Sequence, residues 1–517
     1  MKLNKIIYAV CLASILASCD AFLTKEPESA IPIYGFPKTE KEANAILAGM
    51  YDAIQTALGV NYFTWGEVRS DNVEKNAGGA DVYLMNNALT ATHSSANWGD
   101  LYKVILNANI AIKYIPQIEN CEEDLKNNMI AQAYTARGLM YFYLLRVWGR
   151  APIIEEPFEN KEGQQMYYKR SSIEDLKKII EHDLNEAIRL FDNATPESCY
   201  IMSNGTAKAI LTDYYMWNGD YNNAISTSDY FQPENQTTYK YAEGETQWKQ
   251  IFIDPSSSNE PIFTIQWDYI KDSWNRMALE FGCADRNAKY KISEGIWNDF
   301  VANKSQDVRF AQTLDTIAYN VAGFNAISEA TYSTVVNIGT NYNSKFLKWN
   351  PNKNPSGVVV YPTSMNKIEH GGFELPSSLQ YEIEVSLYRY AGVMLLRAEA
   401  LAKRNEGGDL SEAISIVNKI RERVGYKTGL LDPAETQQNV INAIDKERRL
   451  ELWGEGVRWF DLVRTNRVHE VMDPIMIERG NNEGFGDDNY ILWPIHQSAF
   501  EGNPLLRGDQ NPGYSES

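Results

Sequence analysis

Histidine, cysteine and net positive charge are scarce in this sequence. The five histidines (His93, His182, His370, His469 and His496) are scattered, with no His-Glu-x-x-His and no pair at metal-ligand spacing, which removes the zinc-hydrolase patterns. No Gly-x-Ser-x-Gly elbow, Walker A loop or Gly-x-Gly-x-x-Gly turn occurs, so no short motif marks a nucleophile or a phosphate cradle. Lys and Arg total 49 against 68 Asp and Glu, a formal charge of −19. Phosphate backbones are held by clustered Lys and Arg, so nucleic acid is disfavoured as a partner, as is electrostatic docking on anionic lipid. No run approaches the roughly 18 apolar residues of a transmembrane helix. Of five cysteines, Cys121, Cys199 and Cys283 follow the N-terminal segment in a spacing that matches no disulfide framework or zinc site. They read as small buried hydrophobes, at least one of them unpaired.

Hydrophobic residues make up 44% of the 517, enough for a large core. At roughly 150 residues per domain, that length allows about three domains or one composite body. Among aromatics, 31 Tyr and 12 Trp outnumber 18 Phe, a bias toward rings with a polar edge that can stay wet. At the N-terminus, Lys2 and Lys5 precede an apolar run over residues 6–16, then Leu16-Ala17-Ser18-Cys19. That run is too short to span a bilayer and suits the core of a signal peptide. The four residues resemble a bacterial lipobox, in which Cys19 carries the lipid through its sulfur; the alternative is an ordinary signal peptide with an incidental Cys.

Residues 1–18 are thus the expected signal peptide and 19–38 an acidic, Pro-containing tether. Residues 39–231 form an N-terminal helical part with a loop-rich insertion at 60–100. Thr39 and Glu42 predict a capping box, and apolar spacing predicts helices from residue 98, over 124–148 and over 172–191. Two later stretches share one grammar: a helix over 207–216 ending at Gly219-Asp220 before Ala224-Ile225, and one over 394–402 ending at Gly408-Asp409 before Ala413-Ile414. This is the turn of a tetratricopeptide helix pair, with glycine in the left-handed conformation. Residues 232–385 read as an irregular, aromatic-rich insertion holding one short strand over 261–267. Residues 386–517 read as helical, with an irregular tail.

Several segments together resemble the SusD/RagB family of nutrient-uptake outer-membrane lipoproteins. They are the lipobox with Asp20-Ala21-Phe22-Leu23, Glu67-Val68-Arg69-Ser70-Asp71-Asn72, Leu395-Leu396-Arg397-Ala398-Glu399-Ala400, Glu447-Arg448-Arg449-Leu450-Glu451, Arg458-Trp459-Phe460-Asp461-Leu462, Leu492-Trp493-Pro494-Ile495 and Asn511-Pro512-Gly513-Tyr514. The resemblance implies a mainly α, tetratricopeptide-like scaffold with long irregular insertions and minor β structure. It also implies glycan capture at the cell surface and a SusC-type TonB-dependent transporter as partner.

The charged cluster Glu447, Arg448, Arg449, Glu451, Arg458, Asp461 and Arg464 is expected to be scaffold, since charges three and four apart on helices pair with one another and Arg forks bind neighbouring carboxylates. Gly484-Phe485-Gly486-Asp487-Asp488-Asn489 offers oxygen ligands for Ca²⁺ but lacks the EF-hand alternation, so a solvated loop is expected. No cofactor or catalytic residue is implied. A sugar needs a flat aromatic for its C–H face and Asp, Asn, Gln or Arg for its hydroxyls. Three segments offer both: residues 62–98 with Trp65, Asp71, Asn72, Tyr83 and Asn86; residues 267–276; and residues 319–349. Trp65 and Trp98 abut helices and are expected in the core. Tyr83, Trp274, Tyr332 and Tyr342 are the expected stacking platforms, with Asn275, Arg276 and Asn341 as hydrogen-bonding neighbours. Competing readings are a lipoprotein glycoside hydrolase, a peptide-capturing transporter lid and an architectural adaptor.

Overall fold

The computed structural model describes residues 37–516 except 76–80, 160–163, 192–195, 197, 268–271, 273–279, 281–288, 314–316, 320–325, 330–351, 354–358 and 361–383. Helix α1 (Glu40–Leu58) starts where the capping pattern places it: the Thr39 hydroxyl accepts from Glu42 N, and the Glu42 carboxylate accepts from Thr39 N at 3.1 Å. Ala43, Ile46, Leu47, Met50, Ala53 and Ile54 form its buried stripe, at the spacing of one helix face. Two short helices follow, α2 (Asn61–Gly66) and α3 (Val82–Met85), then α4 (Gly99–Tyr114) and α5 (Glu123–Trp148). From Met129 onward α5 is buried almost all round, which makes it the axis of this half. Helix α6 (Ile173–Leu190) is capped by Ser172, whose hydroxyl accepts from Asp175 N at 3.1 Å.

The first Gly-Asp turn joins α7 (Asn204–Trp217) to α8 (Tyr221–Ser228). Gly219 is left-handed at φ 69°, and Asp220 caps α8 by accepting from Asn223 N. Within residues 232–385 the chain forms α9 (Gly244–Ile253), α10 (Glu294–Ala302) and α11 (Val308–Thr313), more helix than the single strand expected there. Helices of six to ten residues bury only a turn or two, too short a run for apolar periodicity to separate from loop. The C-terminal part holds α12 (Tyr390–Arg404), α13 (Asp409–Arg423), α14 (Gln437–Glu451), α15 (Arg458–Arg464), α16 (Val468–Glu478) and α17 (Gln497–Gly502). The second Gly-Asp turn differs from the expected one. Gly408 sits at φ −91°, while Asn405 and Gly407 take the left-handed conformation. Asp409 instead clamps Arg404, accepting from Nε and Nη2 at 2.7 and 2.8 Å.

Helices pack in sequence: α1 on α4, α4 on α5, α5 on α6, α6 on α7, α7 on α8, α8 on α12, and α12 on α13 and α14. The two Gly-Asp pairs are therefore neighbours, and the stretch between them is looped out of a continuous helical array. The strands are β1 (Val73–Lys75), β2 (Pro261–Ile265), β3 (Tyr290–Ile292), β4 (Ile317–Tyr319), β5 (Ala326–Glu329), β6 (Asn352–Lys353), β7 (Val359–Val360) and β8 (Val385–Arg389). They form antiparallel pairs β1–β3, β2–β8, β4–β5 and β6–β7. All five residues of β2 are buried, Thr264 among them with its hydroxyl 2.9 Å from Ser386 Oγ, so neither face of the strand is left to solvent.

Two polar devices fasten distant parts together. The first is the 67–72 segment. Buried Glu67 accepts from Asn72 Nδ2 at 2.7 Å and from Gly454 N at 3.0 Å. Arg69 donates to Ile491 O, Tyr490 O and Asn87 Oδ1 and lies 4.4 Å above the Trp459 ring. The approach is close: a Cβ on Gly66 would lie 1.7 Å from Gly456 O, so a larger residue at 66 would have to displace backbone. The second is a buried ion lattice. Glu451 accepts from Arg389, Arg309 and Arg423, Arg389 also binds Glu260 and Glu455, and Glu447 accepts from Arg421 at 2.8 Å. Arg448 and Arg464 share Asp461, and Arg464 also forks onto Glu399. Glu447, Arg448, Glu451, Asp461 and Arg464 belong to the cluster expected to be scaffold; Arg309, Arg389, Arg421, Arg423, Glu260, Glu399 and Glu455 join them from other elements.

Trp65 and Trp98 are core residues: both pack edge-on against Trp148, and Trp65 Nε1 donates to Ser95 O. Cys121 and Cys199 are free thiols. Both are only partly buried, not wholly interior as expected, because each lies in a connection rather than on a helix face. Burial, with Glu384 nearby, pushes the Cys199 thiol up to about 12. Cys283 and Cys19 lie outside the described residues.

Candidate functional site

Beside the β1–β3 ribbon, in which Val73 faces Ile292 and Lys75 faces Tyr290, opens a cleft of about 990 Å³. Its walls come from four places distant in sequence: Asp71 to Lys75, α3, the start of α10, and the second half of α16, with Arg449 of α14 at its base.

Each wall has a local cause. Asp81 starts α3 by accepting from Leu84 N at 3.0 Å, and Leu84 and Met85 anchor it in the core. A hydrogen bond from His93 is the main reason the Asp81 carboxyl is held below the usual carboxylate range. Arg479, just after α16, joins three walls: Nη1 donates to Met85 O at 2.9 Å and Nη2 to Val73 O at 3.1 Å. Burial lowers its pKa. Glu74 accepts from Glu294 N at 3.0 Å, at the start of α10, and pairs with Lys291 at 3.3 Å. At the base, burial alone would raise the Asp71 carboxyl, but Arg458 and Arg449 outweigh it and hold it below the usual range.

The lining sets the part-exposed apolar side chains of Val82, Val471 and Ile475 among exposed polar groups. Tyr83 on α3 and Ile477 on α16 are 66% and 53% exposed, the two most exposed large hydrophobics among the described residues. They lie on two elements that Arg479 ties together, but the cleft itself is lined from those elements by Val82, Met85 and Asn86 and by Val471, Ile475 and Glu478. Around the cleft, Lys75, Asn86, Glu294, Asn298 and Glu478 are exposed polar lining residues. Such a surface presents apolar bodies beside a ring of donors and acceptors. Among the described residues no group of three His, Cys, Asp or Glu side chains is placed to hold a metal ion.

Of the residues singled out from sequence, Asn86 lines the cleft, and Tyr83 is exposed on the same short helix without being one of the lining residues. Trp65, Asp71 and Asn72 do not serve as ligand groups: the Trp is buried, Asp71 is bound by Arg449 and Arg458, and the Asn72 side chain is bound between Glu67 and Arg449. Trp274, Asn275, Arg276, Tyr332, Asn341 and Tyr342 lie outside the described residues. Trp267 is half-buried, its ring 3.0 Å from where a Cβ on Gly59 would sit. In the loop considered for Ca²⁺, Asp487 accepts from Asn489 N and Asp488 pairs with His469 Nε2 at 2.8 Å. Sequence reasoning missed Glu294, Asn298, Ile475, Glu478 and Arg479, which no motif marks. One signal was available: Val468, Met472 and Met476 form the buried stripe of α16, and Ile475 falls off it.

The segments that make this architecture match known models. The SusD family model matches residues 158–514, and a second model, described as starch-binding and associating with the outer membrane, matches residues 21–216. SusD-like protein P38 of Formosa agariphila is 29% identical over 523 residues, covering 97% of this chain and 96% of its own length. A SusD-like protein of Bacteroides ovatus is 24% identical, covering 89% and 82%. A solved SusD homologue of Bacteroides thetaiotaomicron superposes with a TM-score of 0.72 at 20% identity, covering 95% of this chain and 99% of its own. A laminarin-binding SusD-like protein does so at 0.68 and 23%, covering 92% and 100%. With a family model over most of its length and a helical array of matching fold, this chain belongs to the SusD family.

Proposed function

We propose that this protein is a non-catalytic glycan-binding lipoprotein, anchored through Cys19 in the outer membrane, that captures oligosaccharide and delivers it to a SusC-type TonB-dependent transporter. The observation that carries the reading is one cleft in which the part-exposed apolar side chains of Val82, Val471 and Ile475 stand beside exposed amides and carboxylates, Asn86, Asn298, Glu294 and Glu478. A sugar's C–H face lies against the apolar wall of Val82, Val471 and Ile475 while its hydroxyls exchange hydrogen bonds with Asn86, Asn298, Glu294 and Glu478. Tyr83, exposed on the same helix as Asn86, is the stacking platform beside it. Trp274, Tyr332 and Tyr342, with Asn275, Arg276 and Asn341, extend the same role along the insertion. The names of relatives support a saccharide ligand: one family model is called starch-binding, and one fold neighbour laminarin-binding.

Calorimetry or affinity electrophoresis against a glycan panel tests the reading. Binding of a glycan without release of shorter products is expected, together with weaker binding after Tyr83→Ala. Absence of binding to any glycan overturns it in favour of a peptide-capturing lid. Product release that stops when one carboxylate is replaced turns it into a hydrolase. Co-purification with a TonB-dependent barrel tests the delivery step.

A further inference from the structure

Resting on the glycan reading, we infer that the cleft selects uncharged saccharides and rejects those bearing carboxylate or sulfate groups.

Recognition of an anionic sugar needs a guanidinium or ammonium with unspent donors, because charge-assisted and bidentate hydrogen bonds supply both strength and geometry. Two guanidiniums line the cleft, and both are turned toward protein acceptors. Arg449 donates through Nε to Asn72 Oδ1 at 2.9 Å, through Nη2 to Asp71 O at 3.0 Å, and through Nη1 to Asp299 at 3.3 Å. Arg479 gives Nη1 and Nη2 to two backbone carbonyls. Lys291, beside the ribbon, pairs with Glu74. Among the described lining residues Lys75 is the one exposed cation, outnumbered by the exposed carboxylates of Glu294 and Glu478. The whole chain adds a field of the same sign, with a formal charge of −19. A carboxylate on a cleft wall accepts two sugar hydroxyls as readily as an amide does, but beside a second anion it is repelled, and like-charge juxtaposition is strongly unfavourable. The cleft is thus equipped for hydroxyls and against anions.

The test is a glycan array holding neutral, uronate-bearing and sulfated oligosaccharides, followed by calorimetry with matched pairs such as laminarin and sulfated laminarin. Neutral ligands are expected to bind with affinity unchanged between low and moderate salt. Anionic counterparts of the same backbone bind at least about tenfold more weakly, and the gap narrows as salt screens the repulsion. The double variant Glu294→Gln, Glu478→Gln, at two exposed positions, raises the ratio of anionic to neutral affinity by about tenfold. Equal or tighter anionic binding at low salt overturns this inference and leaves the glycan reading standing. A neutral preference that the double variant does not shift removes these carboxylates as its cause and overturns the inference in this form. Failure of every array member to bind defeats the glycan reading and this inference with it.

Discussion

The buried ion lattice around Glu451 and the open cleft beside the β1–β3 ribbon draw on the same side chains, Arg, Glu and Asp, and use them in opposite ways. In the lattice each charge is spent on another: Glu451 faces three guanidiniums, and Arg389 faces three carboxylates. In the cleft, Glu294 and Glu478 stand in solvent. Residue type does not separate scaffold from site; burial and the number of internal partners do. The 67–72 segment shows the boundary within six residues. Glu67, Arg69 and Asn72 serve only the fold, while Asp71 forms the base of the cleft and is bound by two arginines beneath it.

The comparison can be broken most forcefully at Glu451. Burial alone would raise its carboxyl; Arg423, Arg389 and Arg309 instead hold it far below the usual range. Replacing it leaves three guanidiniums in the core, so Glu451→Ala is expected to lose about 3–5 kcal/mol of unfolding free energy in urea titrations. A loss under about 1 kcal/mol would contradict a lattice that holds the fold. The next effect is a dependence on pH. Burial opposes ionisation of Asp461, but Arg448 and Arg464 prevail and lower it from 3.8 to about 2. Its stabilisation is fully present above pH 3.8 and is lost as pH falls through about 2. Acid titration of Asp461→Asn against the parent should show a gap that closes over that window; a constant gap counts against the ion pairs.

At the cleft the expected effects fall on binding instead. Tyr83→Ala, at an exposed position, should leave stability within about 0.5 kcal/mol and weaken the preferred glycan about three- to tenfold. Unchanged affinity in calorimetry would remove Tyr83 from the site. The smallest effect concerns His469, whose ring nitrogens lie 2.8 Å from Asp488 and 3.2 Å from Asp473. The Asp488 bond, then the Asp473 bond, outweigh burial and raise its pKa above 6.5. The clip it makes between α16 and the 487–491 turn is complete below pH 6.5 and fades as pH rises through the folded value. Proton NMR of the His469 ring should give a midpoint above 6.5; a midpoint at or below it would mean that the carboxylates do not hold the imidazolium.

Much of the scaffold was legible before the structure. Long helices carry several turns of apolar stripe, and Thr39 and Ser172 cap them with local hydrogen bonds that sequence spacing alone specifies. The Gly219 turn followed the same logic. The Gly408 turn departed from it because Asn405 and Gly407 take the left-handed positions and Arg404 claims Asp409. Helices α9, α10 and α11 escaped notice since each buries too few turns. Of the cleft, Asn86 was legible; the exposure of Tyr83 was legible too, because a Tyr among polar loop residues has little core to enter.

Composition and local pattern by themselves determined a helical array, a large core and a surplus of aromatics with wet edges, and the order of the charged and aromatic segments carried the family resemblance. Local order needs only neighbours in sequence: the 3.6-residue period, a cap three residues away, a glycine at a turn. Which charges became structure and which stayed available was decided only in three dimensions. Asp71 meets Arg458, Met85 meets Arg479, and Val73 pairs with Ile292. Those partners stand hundreds of residues apart, and only the packed helices and the looped-out insertion bring them within hydrogen-bond reach.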